Sequence, residues 1–196
     1  MKVRGFDPGD SNFGISLLEI KGSKIQILHI GMNADTISNL TDTPQFTTKS
    51  KRKKKNPNDR IPAFLDQLRI YKKFLVRCIK EGPDLVATER YMTRGIKGKS
   101  IECVSMMNGI AASMLTAKGI SFILYSAASW KNSINRIVDL KELYVKCKKH
   151  LKPHEIDSAF IALSAYMKYK TIKWQDPKCK RLVTALANEL EKHEKV

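Results

Sequence analysis

A chain of 196 residues with 42% apolar and 28% charged side chains is composed like one soluble globular domain rather than a wholly disordered or fibrous chain. Its charge is the unusual quantity: 36 Lys and Arg against 19 Asp and Glu leave a formal +17, which draws a protein toward phosphate polyanions and favours nucleic acid as partner over an anionic membrane surface. Four scattered cysteines (Cys78, Cys103, Cys147, Cys179) without a Cys-x-x-Cys pair argue against a disulfide scaffold or zinc site, and no apolar run approaches the ~20 residues of a membrane span.

Residues 2–7 and 12–20 read as adjacent antiparallel strands joined by a turn through Pro8, Gly9 and Asp10. A third strand, 24–31, follows the turn at Lys21, Gly22 and Ser23 and alternates as Ile25, Ile27 and then Leu28, Ile30. Residues 33–59 have no clear period. Within them, 43–59 form an expected basic loop carrying Lys51, Arg52, Lys53, Lys54 and Lys55, a block of like charge suited to seeking phosphates in solvent. Apolar residues at helical spacing then mark a helix over 61–79, and residues 85–89 read as a short buried strand ending in a carboxylate.

A polar stretch leads to a helix over 100–118 and a second buried strand over 121–124. The remainder is helical: a short piece at 127–132, then helices over 139–151, 153–170 and 177–192, with 173–196 as a helical C-terminal extension of one domain spanning 1–196. Three antiparallel strands, helix, strand, helix, strand and further helices form an α/β pattern with parallel pairing at its end. That is the order of the ribonuclease-H-like fold, a mixed five-stranded sheet flanked by helices.

In such a sheet the first and fourth strands are neighbours, so Asp7 and Glu89 would meet at one sheet edge although 82 positions separate them. His154 and Asp157, three residues apart at the start of a helix opened by Pro153, share one helix face. Three carboxylates and an imidazole suit hard divalent cations held by oxygen. Two Mg²⁺ ions, with Mn²⁺ as a substitute, would then serve phosphodiester hydrolysis: Asp7 bridging, Glu89 and Asp157 each completing one shell, His154 ligating or orienting water. Taken singly, each has a plainer role, since Asp before Pro-Gly is usually a turn residue and acidic groups often cap helices.

The segments Gly5-Phe6-Asp7-Pro8-Gly9 with Asn12 and Gly14, Thr88-Glu89-Arg90-Tyr91, and His154-Glu155-Ile156-Asp157-Ser158-Ala159 with Ile161-Ala162 resemble those of the RuvC-type Holliday-junction resolvases. The resemblance covers most of residues 1–170. It implies a homodimeric, Mg²⁺-dependent endonuclease that cuts opposed strands of a four-way DNA junction, with Asp7, Glu89, His154 and Asp157 as catalytic and metal-binding residues. It further implies that Tyr91 stacks on a junction base and Lys131, beside Trp130, meets a phosphate. Arg90, Arg94, Lys97 and Lys99 are basic neighbours expected to contact DNA with them. The helix carrying Cys103, Met106, Met107, Ile110 and Met114 would form the dimer interface, since it holds more apolar residues than one core-facing stripe requires.

The long basic loop and the tail depart from the family pattern and point to a divergent phage or viral member. Thiols expected to be reduced, and an N-terminus interrupted by Asp7 and Asp10 and so without a signal-peptide core, place the expected protein in the cytoplasm. Two other readings remain at this level: a ribonuclease H or flap nuclease on the same fold, and a basic DNA-binding protein without catalysis.

Overall fold

The computed structural model describes residues 1–8, 13–32, 60–90 and 99–193, with the side chains of 32, 60–67, 70 and 99–103 outside that description. Tyr91, Arg94, Lys97 and the basic run 51–55 therefore lie outside the described residues, as do the side chains of Lys99 and Cys103.

Five strands form one mixed sheet: β1 (Lys2–Asp7), β2 (Gly14–Lys21), β3 (Lys24–Met32), β4 (Leu85–Arg90) and β5 (Ser121–Ser126), in the order β3-β2-β1-β4-β5. The first three pair antiparallel; β4 pairs parallel with both β1 and β5. The β2–β3 hairpin closes through Gly22 and Ser23 alone, and Gly22, at φ 64°, takes the left-handed conformation that such tight turns require. The phase change in the β3 sequence is a bulge: Leu17 pairs with His29 and Leu18 with Ile27, leaving Leu28 unpaired and 40% exposed while Ile25 and Ile30 both stay in the core.

Six helices accompany the sheet among the described residues: α1 (Arg60–Lys80), α2 (Lys99–Thr116), α3 (Ala127–Ile134), α4 (Leu140–Cys147), α5 (Pro153–Tyr169) and α6 (Pro177–Lys192). Strand alternation divides the core in two. Val3, Leu18, Ile20, Leu85 and Ala87 pack against α3 through α6, and Phe6, Ile15 and Val86 pack against α1 and α2. On the second face Phe6, Phe13, Tyr71 and Phe74 form a ring cluster that anchors the end of β1 just before Asp7.

Two expectations need correction. The segment at β5 is no buried strand: it forms the sheet edge, so Leu124 is 44% exposed and only Ile123 and Tyr125 pack against the larger core. The helix expected over 139–151 stops at Cys147, where the amides of His150 and Leu151 both turn back to the Cys147 carbonyl. Asp139 caps its start, accepting from the amides of Lys141 and Glu142.

Candidate active site

Alternation sets up the site before any helix is added. Val3, Gly5 and Asp7 on β1, and Leu85, Ala87 and Glu89 on β4, project to one face, and Phe6 pairs in register with Thr88. Asp7 and Glu89 thus end neighbouring strands on one side. The third element is α5, which crosses that face at backbone distance.

Two glycines permit the crossing. A Cβ on Gly5 would fall 1.9 Å from the Ser158 carbonyl oxygen, and one on Gly14 would fall 1.9 Å from that of His154. Gly14 is also the register partner of Asp7 across β1 and β2. The first turn of α5 is therefore seated where His154 can reach Asp7, and its Nδ1–H donates to Asp7 Oδ2 at 2.5 Å. Asp157, one turn on, is buried at 4% exposure and faces the same cluster.

Each carboxylate is engaged by a protein donor. Glu89 Oε2 accepts from the indole N–H of Trp130 at 3.0 Å. Asp157 accepts from Lys131 Nζ at 2.6 Å and from the Tyr144 hydroxyl. Lys131 also lies 5.0 Å from the Trp130 ring centre, so α3 delivers a cation and an indole to the cluster side by side. Behind Glu89, the Asn108 side-chain amide donates to its backbone carbonyl at 3.2 Å, and the Thr88 hydroxyl meets Asn108 Oδ1. The end of β4 is thereby tied to α2.

The electrostatics follow from crowding acids under partial burial. Burial first, then the charges of Asp7 and Asp157, push Glu89 up to about 7 against the Trp130 hydrogen bond and Lys131, which hold it down. Burial also lifts Asp157 against the opposing pull of Lys131 and Tyr144. The hydrogen bond to Asp7 raises His154, outweighing burial. Burial alone would lower Lys131, but the Asp157 carboxylate outweighs it and raises the ammonium's affinity for its proton.

The four expected catalytic residues are therefore gathered at one end of the sheet. Among the described residues, however, no group of three or more His, Cys, Asp or Glu side chains is placed to hold a metal ion, and each acid is engaged by its own donor. The donor set still fits a hard cation: mutually repelling carboxylates, one lifted to about 7, are a site that bound positive charge would relieve.

Lys131 lies inside the cluster, ion-paired to Asp157, and the exposed Arg90 ends β4 directly after Glu89. Of the expected interface residues, Met107 is buried in the smaller core and Ile110 and Met114 pack against it, leaving Met106 47% exposed. Sequence reasoning missed Tyr144 and Asn108 and named Trp130 only as the neighbour of Lys131. A hydroxyl or amide at an otherwise core-facing helical position was the signal available.

The fold is of the ribonuclease-H-like class, and within that class its likeness is to RuvC. The chain superposes on the structure of Thermus thermophilus RuvC with a TM-score of 0.53 at 15% identity, covering 87% of this chain and 96% of that one. T. thermophilus RuvC in complex with a Holliday junction substrate matches with a TM-score of 0.53 at 17% identity, covering 88% and 98%. The yeast mitochondrial Holliday junction resolvase Ydc2 follows at 0.43 and 17% identity, covering 96% and 77%. At these identities the likeness to T. thermophilus RuvC establishes a shared fold. No protein-family model and no curated protein matches the sequence.

Proposed function

We propose that this chain is a cation-dependent endonuclease that resolves four-way DNA junctions. The observation that supports it most is the gathering of Asp7, Glu89, His154 and Asp157 at one sheet end in a protein of net charge +17. Asp7, Glu89 and Asp157 would hold the metal, with His154 fixed by Asp7. Two divalent ions bound there would supply a water nucleophile at neutral pH and stabilise the departing oxygen of an in-line displacement at phosphorus.

The chain's own residues do the rest. The Trp130 N–H holds Glu89 in one orientation and favours its charged form, against the burial and acidic neighbours that push it up to about 7. Lys131, paired to Asp157 at the edge of the cluster, is the ammonium placed to meet a substrate phosphate there. Paired nicks need two sites, which a second copy would supply; Met106 is the described α2 candidate left exposed for that contact. The described cysteines Cys78, Cys147 and Cys179 are free and buried, which suits a reducing compartment such as the cytoplasm.

A cleavage panel tests the reading: a four-way junction with a mobile core, a flap, a linear duplex and an RNA–DNA hybrid, each incubated with Mg²⁺. Symmetric paired nicks on the junction alone are expected. Preferred cutting of the hybrid or flap would replace the substrate, and no cutting of any would leave a DNA-binding protein.

A second expectation concerns Trp130. Replacing it with Phe removes the N–H that holds the Glu89 pKa down, so more of Glu89 is protonated at neutral pH and a cation must displace that proton. Mn²⁺ affinity read by calorimetry should fall about 10–100-fold, the usual cost of losing a partner behind a metal ligand. Unchanged affinity would mean that the indole serves packing alone.

A further inference from the structure

A cleft of about 550 Å³ lies between the α4–α5 turn and the end of α6. Lys148, Lys149, Lys152 and Lys192 line it, with His150, His193, Leu151 and Glu191. All four lysines are exposed, and among the described residues none forms a salt bridge. The one acid in its lining, Glu191, is already paired with Lys146 at 3.4 Å. The cleft therefore presents four exposed ammonium groups outside any salt bridge among the described residues, beside the acids Glu191 and, bonded to the Lys152 amide, Glu155.

Its walls are fixed. His150 Nε2 is bound to the Leu190 carbonyl at 3.1 Å, tying the turn to the last turn of α6. Cys147, Leu151 and Leu190, buried at 0%, 2% and 0%, anchor both sides in the larger core. The lysines are thus mounted on a rigid rim, and an anion entering between them meets preset positive charge.

Its position matters as much as its charge. Lys152 is the N-cap of α5, and His154 of the carboxylate cluster follows two residues later. The cleft and the cluster share one loop–helix junction, so a polyanion lying across the start of α5 would run from one to the other. We infer that this cleft binds the phosphodiester backbone of a DNA arm leaving the carboxylate cluster. The α6 extension acquires a role in this arrangement: it supplies Lys192 and one wall. The inference rests on reading the cluster as a DNA-cleaving site, and it adds a binding surface on the α4–α5 side.

The test is a salt titration of junction binding in EDTA, where cleavage plays no part. The 196-residue protein is compared with a variant carrying Lys148→Gln, Lys149→Gln and Lys192→Gln, all surface changes on the folded chain. The slope of log affinity against log salt should shrink by about 2–3, roughly one for each phosphate that a lysine no longer neutralises. Equal slopes would overturn the cleft's role while leaving the cluster's untouched. Unchanged DNA slopes with lost pelleting on phosphatidylserine vesicles would overturn it in favour of a lipid surface. Wild-type protein that binds no DNA would overturn both the inference and the functional reading on which it rests.

Discussion

Replacing Asp7 with Asn should abolish Mg²⁺-dependent cleavage while leaving junction binding intact or slightly tighter. The substitution changes charge and little else. An Asn side-chain carbonyl can still accept from His154 Nδ1, which sits 2.5 Å from Asp7 Oδ2, so the first turn of α5 stays in place. What is lost is the central anionic oxygen of the cluster. Because Asp7 is proposed as a direct ligand, the rate should fall beyond the 10–100-fold typical of residues acting behind ligands, by more than about 10²-fold. Binding should not suffer, since removing a negative charge from a site that faces phosphates lessens repulsion. A second readout is independent of turnover. Asp7 is among the charges that raise Glu89, so the Glu89 pKa should drop below about 7 in the variant, as followed by carboxyl NMR. Normal cleavage by the Asn variant would make the proposed site wrong.

The part of this arrangement legible in the sequence is the part governed by period. Asp7 and Glu89 each end a short apolar run, and a period of two puts them on the same sheet face once the strands are neighbours. His154 and Asp157 follow from helical spacing after Pro153. Even the bulge at Leu28 is visible as a change of phase in β3. What period cannot convey is which side of an element meets which neighbour. Trp130 and Tyr144 have the look of core residues, and only the packing of α3 and α4 against α5 turns an indole N–H and a phenol hydroxyl onto acids. The apolar excess on α2 suggests a dimer face, yet α1 uses much of it, covering Met107 and its neighbours within the smaller core. The exposure of β5 is invisible for a related reason: Ser121–Ser126 is as apolar as a central strand, and its edge position depends on topology.

Gly14→Ala should disable the site from outside it. The added methyl would sit 1.9 Å from the His154 carbonyl oxygen and 2.4 Å from its carbon, both backbone atoms that no rotamer change can move aside. Because real Cβ atoms essentially never come within 3.0 Å, the start of α5 must retreat by about 1 Å. Overpacking of this kind costs about 1–3 kcal/mol. The effect on catalysis should be larger than the loss of stability suggests, since a 1 Å misplacement of positioned groups costs about 10²-fold. His154 would lose its seat against Asp7, and Asp157 would move with the same turn. Gly5→Ala presses on the Ser158 carbonyl and the Ala162 amide in the middle of α5, so there the fold itself should fail first. Gly109→Ala is the contrast: outside its own helix turn, no atom of the described residues lies within 4 Å of its added carbon, and in mid-helix the same change should stabilise by about 0.5–1 kcal/mol. Thermal unfolding and cleavage rates measured on the three variants separate the cases. If Gly14→Ala left both unchanged, backbone contact between α5 and β2 would not be what positions His154.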